Sequence, residues 1–200
     1  MRHLHFGKLF FVVFSLLLAY TVSARKPIKT LLITGQNNHN WQVSHVVLKQ
    51  ILENSGRFDV DFVISPEQGK DMSGFVLDFS PYQLVVLDYN GDSWPEETNR
   101  RFLEYVQNGG GVAIYHAADN AFSKWPEFNR ICALGGWEGR NENSGPYVYW
   151  KDGKLVKDSS AGPGGSHGRQ HEYVLNGRDK VHPVVKGLPL KWRHAKDELY

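Results

Sequence analysis

The chain alternates between apolar runs and polar stretches in a way that predicts strands and helices in turn. The runs that predict strands are residues 29–35, 58–64, 83–89 and 111–115. Between them, apolar residues at helical spacing predict one helix over residues 41–52 and another that begins at an N-cap, Ser93, and ends at the glycines of 109–111. This order is typical of a doubly wound α/β fold. We therefore expect a flavodoxin-like, three-layer sandwich around a mostly parallel sheet.

The pattern changes in the second half of the chain. Residues 117–134 are predicted to form a further helix that is interrupted near Pro126. Residues 135–168 are rich in glycine, asparagine, serine and aromatic side chains, which is typical of an elaborated insertion. Within it, Asp152 and Gly153 predict a hairpin turn. A strand is expected to resume over residues 172–175.

Polar side chains follow three of the predicted strands at the point where each strand ends. They occupy residues 36–39, 88–92 and 116–120. In open α/β sheets, ligands bind outside the carboxyl ends of the strands, so these three loops are expected to meet there. Any one of them could be an ordinary polar loop, but three at one edge favour a site.

His116 is the most informative residue in these loops. The strand over residues 111–115 runs straight into a tight turn, which is where a nucleophile elbow places serine or cysteine. A histidine there is suited to act as a general base or as a metal ligand. The alternative is a histidine packed under the sheet edge with its ring nitrogens bonded to the backbone, and the sequence leaves both open.

The candidate site combines these loops with a histidine-rich stretch near the C-terminus. We assign acid/base chemistry to His116, with His171 and Glu198 as partners, because a carboxylate can orient an imidazole and raise its basicity. The residues assigned to substrate contacts are Asn38, His39, Asp119 and Trp137. Histidine and carboxylate ligands from several segments could also hold a divalent metal such as zinc. The chain has no His-Glu-x-x-His motif, so the cofactor stays undetermined.

The first 24 residues have the layout of a cleavable secretion signal. Arg2 and Lys8 belong to a basic start, about 14 apolar residues follow, and Val22-Ser23-Ala24 offers the small residues that signal peptidase needs. The alternatives are a buried N-terminal helix and a membrane anchor. A spanning helix needs ~20 residues, which disfavours a permanent membrane span. We therefore expect an exported protein, periplasmic or extracellular, whose mature domain is residues 25–200.

Export makes a direct prediction about the mature N-terminus. Cleavage after Ala24 should leave Arg25 as the first residue of the protein recovered from the cell envelope or the medium. N-terminal sequencing of that material checks the prediction. A sequence that begins at Met1 would show that the segment is retained.

Charge and cysteine content narrow the possible functions of the mature domain. The chain holds 23 Lys and Arg and 21 Asp and Glu, and the signal contributes two basic residues and no acidic one, which leaves the mature domain balanced. This balance argues against a nucleic-acid surface, which needs clustered basic side chains. Cys132 is the single cysteine, so no intramolecular disulfide is possible, and no neighbour in sequence suggests an activated thiol.

Several stretches of the chain resemble the trehalose-utilisation, or ThuA-like, family. They are Gly109-Gly-Gly-Val-Ala-Ile-Tyr-His-Ala-Ala-Asp, His167-Gly-Arg-Gln-His-Glu, His182-Pro-Val-Val-Lys-Gly-Leu-Pro and His194-Ala-Lys-Asp-Glu-Leu-Tyr. The resemblance covers residues 29–200 and implies a class I glutamine amidotransferase-like fold. That likeness concerns the fold alone, because His116 stands where those enzymes carry cysteine. Family members usually continue with more strands, which implies that a domain ending at Tyr200 lacks its last sheet elements.

The resemblance implies a role in carbohydrate catabolism, with trehalose-like or oxidised (keto) disaccharides as the small-molecule partners. Two functions of different classes remain open. The first is an enzyme that acts on a sugar derivative by histidine/carboxylate acid/base chemistry, with or without a metal. The second is a non-catalytic carbohydrate-binding or accessory protein that reuses the fold. Convergence of His116, His171 and Glu198 or Asp197 favours the enzyme, and a shallow aromatic groove favours the binding protein.

Overall fold

A four-stranded parallel sheet forms the centre of the protein in the computed structural model, which describes residues 26–133 and 135–199. The strands are β1 (Ile28–Thr34), β2 (Phe58–Ile64), β3 (Leu84–Leu87) and β4 (Gly111–Ile114). Their spatial order is β2-β1-β3-β4, and each neighbouring pair is parallel. The predicted α/β class is confirmed. The predicted secretion signal over residues 1–24 lies outside the described residues.

Helices cover both faces of this sheet. They are α1 (Trp41–Asn54), α2 (Glu96–Gln107) and α3 (Pro126–Cys132). On one face, leucines of α1 pack on a small core that contains Leu32 and Val60. On the other face, Phe102 of α2 and Phe128 of α3 are buried in a larger core with Ile33. Successive strand residues point to opposite faces, so β1 contributes to both cores and the three layers follow.

The helix α1 is confirmed, but much of its apolar surface faces outward. Four apolar residues that contribute to its helical spacing are 43–62% exposed; they are Val43, Val46, Val47 and Ile51. The buried residue of α1 is His45, whose Nδ1 lies 2.6 Å from the Trp41 carbonyl oxygen and whose ring packs on Phe62 of β2. The face that meets the sheet is therefore offset from the most apolar face of the helix.

Two prolines set helix boundaries that differ from the sequence prediction. The helix α2 begins at Glu96 with Pro95 as its N-cap, later than the predicted N-cap at Ser93. The single interrupted helix predicted over residues 117–134 is two separate elements, a 3₁₀ turn over His116–Asn120 and the helix α3. Pro126 is the first residue of α3, because a proline lacks the N–H that a helix interior needs but not the one that a helix start needs.

The second half of the chain adds two antiparallel hairpin-like sheets. The strands β5 (Tyr147–Lys151) and β6 (Lys154–Asp158) pair across a turn at Asp152 and Gly153, which have φ of 52° and 77°. The predicted hairpin is therefore confirmed, since such turns need positive φ at both positions. The strands β7 (His171–Asn176) and β8 (Lys191–Asp197) form the other sheet. Among the residues that the structure describes, no helix has the length and apolar character that a membrane span requires.

Asp88 follows β3 and lies buried beneath the loop that follows β1. It is 1% exposed, and it accepts hydrogen bonds from Thr34 Oγ1 at 3.3 Å, Asn37 Nδ2 at 3.0 Å and Ser44 Oγ at 2.5 Å. Burial raises the pKa of this carboxyl above its ordinary value, and the three hydrogen bonds oppose the rise only in part. Asp88 thus connects the strand ends of β1 and β3 with the first turn of α1.

The raised pKa of Asp88 predicts a contribution to stability that falls as the pH rises, opposite to that of a carboxyl whose pKa is lowered by folding. Between the ordinary pKa of aspartate and the raised one, the folded protein keeps a proton that the unfolded chain has lost. The contribution of Asp88 to the free energy of unfolding therefore decreases as the pH rises through that window, which starts near pH 4. Between pH 4 and pH 7, the free energy of unfolding measured with urea should rise more, or fall less, with pH for Asp88→Asn than for the wild-type protein.

Asp78 supplies a control of opposite sign. It is exposed, and hydrogen bonds from the backbone and side chain of Ser80 lower the pKa of its carboxyl. Asp78→Asn should leave the pH dependence of the free energy of unfolding between pH 4 and pH 7 nearly unchanged. The Asp78 carboxyl is ionised over most of this range in the folded and in the unfolded protein. Equal slopes for wild type and Asp88→Asn would contradict the predicted burial cost.

Candidate functional site

A polar cavity of about 450 Å³ opens at the carboxyl edge of the parallel sheet. The loops after β1 and β3, the turn after β4 and the insertion over residues 135–168 all contribute to its wall. The described residues that line it are Gln36, Asn37, Asn38, His39, Gln68, Asn90, Gly91, Asn120, Trp137, Glu138, His167 and Glu198. The predicted meeting of the three polar loops is therefore confirmed, and the volume suits a small molecule.

Gln36 ties the loop after β1 to the loop after β3. Its side chain is 4% exposed, and its Oε1 accepts a hydrogen bond of 2.7 Å from the backbone N–H of Asp92. Its Nε2 donates a bond of 2.8 Å to the Pro66 carbonyl oxygen. A Cβ atom at Gly91 would lie 2.0 Å from Gln36 Oε1, so only glycine allows the two loops to approach this closely. Nearby, Asn90 Nδ2 donates to Asn38 Oδ1 at 2.8 Å.

His116 occupies the turn after β4 in a conformation that side chains rarely adopt. Its φ is 46°, in the left-handed region that costs a non-glycine residue of the order of 1 kcal/mol. The next two residues, Ala117 and Ala118, are buried, so the turn is held by packing beneath it. The exposed His116 ring lies against the His39 ring, with centroids 4.6 Å apart. The structure therefore brings one predicted catalytic residue and one predicted substrate-binding residue into contact at the cavity edge.

Asp119 lies behind this edge and not in the cavity wall. It is half-buried, and burial raises the pKa of its carboxyl, while the charges of Arg140 and His116 lower it. It lines a separate cavity with Arg140 and with the start of the insertion. Asp119, which the sequence assigned to substrate contacts, is therefore not among the described residues that line the polar cavity.

Arg140 fastens the insertion to the turn after β4. Its guanidinium is buried and donates to Asn129 Oδ1 at 3.0 Å, and to the carbonyl oxygens of Asn120 at 3.2 Å, Ala121 at 2.8 Å and Trp137 at 3.2 Å. The Trp137 backbone N–H also donates to Asn120 Oδ1 at 3.1 Å. These bonds hold Trp137, which was predicted to contact substrate, in the cavity wall. No motif marked Arg140 in the sequence.

Glu198 lines the cavity beside a histidine that the sequence analysis did not assign. Glu198 Oε1 lies 3.5 Å from His167 Nε2, and the Trp137 and His167 rings are 5.5 Å apart. The Tyr173 hydroxyl donates to the Glu198 carbonyl oxygen at 3.2 Å, which ties the end of β8 to β7. The cavity thus brings together an imidazole, a carboxylate and an indole from three distant segments.

His171 is placed differently from the prediction. It begins β7, its Nδ1 lies 2.9 Å from the Arg169 carbonyl oxygen, and its ring packs against Tyr173. It is not among the described residues that line the cavity, and the imidazole that approaches Glu198 is that of His167. The sequence assigned both His171 and Glu198 as partners of His116. In the structure Glu198 lines the cavity, whereas His171 begins β7 and bonds within its own segment.

No group of three or more His, Cys, Asp or Glu side chains within residues 26–133 and 135–199 has an arrangement that could hold a metal ion. Cys132 ends α3, where its Sγ lies 3.7 Å from the Asp119 carbonyl oxygen. This contact places the thiol behind the turn after β4, and Cys132 does not line the polar cavity.

Some residues of the cavity wall could be predicted from the sequence and others could not. Gln36, Asn90 and Asn120 belong to the three polar loops, and their amide side chains at strand ends were the signal. Gln68 lies in the long connection after β2, and His167 lies in the insertion, far from any strand end. His167 opens one of the motifs shared with the family, so that motif was the available signal, whereas the sequence offered no local pattern for Gln68.

Comparison with known proteins identifies a family and a fold. A family model described as "ThuA: Trehalose utilisation" matches residues 29–200. A ThuA-like protein from Parabacteroides merdae ATCC 43184, whose crystal structure is known, has a sequence 99% identical to this chain. The two structures superpose with a TM-score of 0.84, and the match covers 88% of this chain and 63% of that one. Another ThuA-like protein of known crystal structure, from Bacteroides uniformis ATCC 8492, is 19% identical with a TM-score of 0.52, and matches 87% of this chain and 61% of that one.

The two solved proteins are longer than the region that this chain shares with them. The chain spans 63% and 61% of their lengths. At 19% identity, the Bacteroides uniformis protein shows the shared fold alone. No protein with a curated description matches the chain.

Proposed function

The chain belongs to the ThuA family, which is described by trehalose utilisation, and from that membership we propose that it acts in carbohydrate catabolism. The signal-like layout of residues 1–24 supports the further proposal that the protein is exported. We propose further that it acts on a trehalose-like or keto-disaccharide substrate by histidine/carboxylate acid/base chemistry. The polar cavity at the carboxyl edge of the sheet is the proposed site.

The lining of the cavity supports a carbohydrate ligand. Six of its side chains are amides, which can both donate and accept hydrogen bonds, as sugar hydroxyls do; they are Gln36, Asn37, Asn38, Gln68, Asn90 and Asn120. Gln36 and Asn37 are already bonded within the protein through both amide atoms. Asn38 and Gln68, in contrast, are exposed and available to a ligand. Trp137 adds an aromatic face that is 40% exposed, which suits stacking on the apolar side of a sugar ring. This combination matches a neutral molecule that carries many hydroxyl groups.

The strained His116 is the observation that carries the catalytic part of the proposal. Strain of this kind persists where the surrounding structure holds it, and it is common at active sites. Imidazole is the side chain best suited to proton transfer near neutral pH. His116 contacts His39 at the cavity edge, and the pair of His167 and Glu198 lines the same cavity. Two acid/base groups are thus available to one bound sugar.

A non-catalytic carbohydrate-binding protein is the second candidate. Several aromatic side chains of the insertion are exposed, among them Tyr149 and Trp150 of β5, which lie outside the lining of the polar cavity. In that case the histidines would act as hydrogen-bond partners of the sugar only. Binding without turnover would distinguish this function from catalysis.

The test is a screen of the purified chain against sugars with binding and turnover measured separately. Calorimetry or ligand-observed NMR measures binding of trehalose and 3-keto-disaccharides, and ¹H NMR follows their conversion, with added zinc and with a chelator. Saturable binding that is lost on Asn38→Ala supports the cavity as the site, and Asn143→Ala, an exposed residue outside it, is the matched control. Conversion supports the enzyme, binding alone supports the second candidate, and no binding by any sugar contradicts both.

A further inference from the structure

We propose that the polar cavity is specific for uncharged sugar units and excludes phosphorylated sugars and other anionic ones. This inference rests on the proposed carbohydrate function and states which class of carbohydrate the site accepts. Five features of the structure carry it: the charges of the cavity wall, the hydrogen bonds in the first turn of α1, the carboxyl of Asp88, the bonds of Arg140 and the place of Lys124.

The charged side chains of the cavity wall are acidic. Among the described residues that line it, Glu138 and Glu198 are carboxylates, and none is a lysine or an arginine. Sites for phosphate depend on the forked donors of arginine or on the point charge of lysine. A phosphate in this cavity would face two carboxylates, of which Glu198 is half-buried and Glu138 is exposed. Repulsion between like charges is screened least at the half-buried Glu198.

At the position where doubly wound folds bind phosphate, several backbone donors of this chain are already bonded to its own carbonyl groups. That position is the turn from the first strand to the first helix, where unpaired backbone N–H groups attract an anion. Here the N–H groups of Val43 and Ser44 both donate to the Asn40 carbonyl oxygen at 3.0 Å, and the N–H of Trp41 donates to the His39 carbonyl oxygen at 2.8 Å. Few backbone N–H groups of this turn therefore remain to bind an anion.

Asp88 places a carboxylate directly beneath this turn. Its two oxygens accept from Asn37 Nδ2, which is in the loop, and from Ser44 Oγ, which is in the first turn of α1. Those side-chain donors would otherwise face a bound anion. The carboxyl of Asp88 therefore occupies the position of an anionic ligand and would repel a second negative group.

The basic residues near the cavity do not offset these charges. Arg140 lies behind the wall, but its donors are directed to Asn129 and to three backbone carbonyl groups. Lys124 lines a neighbouring cavity that it shares with Asp92 and Glu138. A sugar hydroxyl can bond to the amides of the wall, whereas a phosphate has no lysine or arginine partner among the described residues that line it.

The experiment compares matched ligands that differ only in a phosphate group. Binding of trehalose, trehalose 6-phosphate and inorganic phosphate to the purified chain is measured by calorimetry at pH 8, where imidazole is ordinarily neutral. We expect trehalose to bind at least about tenfold more tightly than trehalose 6-phosphate, because repulsion between like charges opposes the phosphate. Inorganic phosphate should neither bind saturably nor displace trehalose.

A charge-removing variant tests the cause of the preference. Glu138→Gln should narrow the difference between the two sugars, whereas Glu104→Gln, an exposed carboxylate of α2 outside the cavity wall, should leave it unchanged. A preference that Glu138→Gln leaves unchanged would contradict the electrostatic cause.

The outcomes separate this inference from the proposed function. Trehalose 6-phosphate that binds as tightly as trehalose, or phosphate that displaces trehalose, overturns the specificity and leaves a carbohydrate site standing. If trehalose and its phosphate both fail to bind, the specificity is overturned, and failure of the remaining sugars would also contradict the proposed function.

Discussion

Replacing His116 by alanine should lower the turnover of a converted sugar by about 10²-fold or more, which is the usual loss when a general acid or base is removed. The substitution does not relieve the backbone strain, since alanine too is disfavoured at a φ of 46°. Folding should therefore stay intact, because the His116 ring is exposed and its main contact is the ring of His39. Steady-state kinetics followed by NMR, with circular dichroism of the same sample, provides both measurements.

His182→Ala is the matched control for this experiment. His182 is also exposed, and its ring nitrogen accepts a hydrogen bond of 3.2 Å from the Val184 backbone N–H, outside the polar cavity. Its removal should leave turnover unchanged. Full activity of a folded His116→Ala protein would remove the catalytic role of His116, although sugar binding in the cavity would stay possible.

Replacing Arg140 by methionine should destabilise the protein by about 1–3 kcal/mol, because removing one partner leaves buried hydrogen-bond acceptors unsatisfied. The substitution keeps an unbranched apolar stem and removes the guanidinium, so the loss reports mainly the hydrogen bonds. It leaves three backbone carbonyl groups and Asn129 Oδ1 without the donors they have now. Such a loss is a considerable fraction of the roughly 5–15 kcal/mol that separates folded from unfolded domains.

Urea unfolding followed by circular dichroism measures the effect of Arg140→Met, and limited proteolysis shows whether the insertion over residues 135–168 detaches first. Arg130→Met is the matched control, because Arg130 is an exposed arginine of α3 that contacts Glu127 at 3.5 Å. Exposed ion pairs contribute ~0–1 kcal/mol, so the control should change stability little. Equal unfolding midpoints for Arg140→Met and wild type would show that the insertion is held by other contacts.

The sequence alone was sufficient for the framework of the fold. Buried parallel strands are short apolar runs, and the four runs in this chain became β1 to β4. The hairpin at Asp152 and Gly153 could be predicted because the turn needs residues that tolerate positive φ. The meeting of the three polar loops also followed, since parallel strands present their carboxyl ends at one edge.

The contacts between distant segments were decided by the tertiary structure. The approach of His167, not His171, to Glu198 depends on how the insertion and the sheet of β7 and β8 lie against the cavity. The burial of Asp88 depends on donors from β1 and α1, more than forty residues away in sequence.

What the sequence determined about this protein is therefore its order of strands and helices, its family and the edge of the sheet where polar groups collect. The tertiary structure alone decided which side chains share the cavity, which face of α1 is buried and which arginine holds the insertion. The reason is physical. Periodicity and turn preferences are properties of residues a few positions apart, whereas partners across a cavity are selected by the packing of segments that the sequence pattern treats separately.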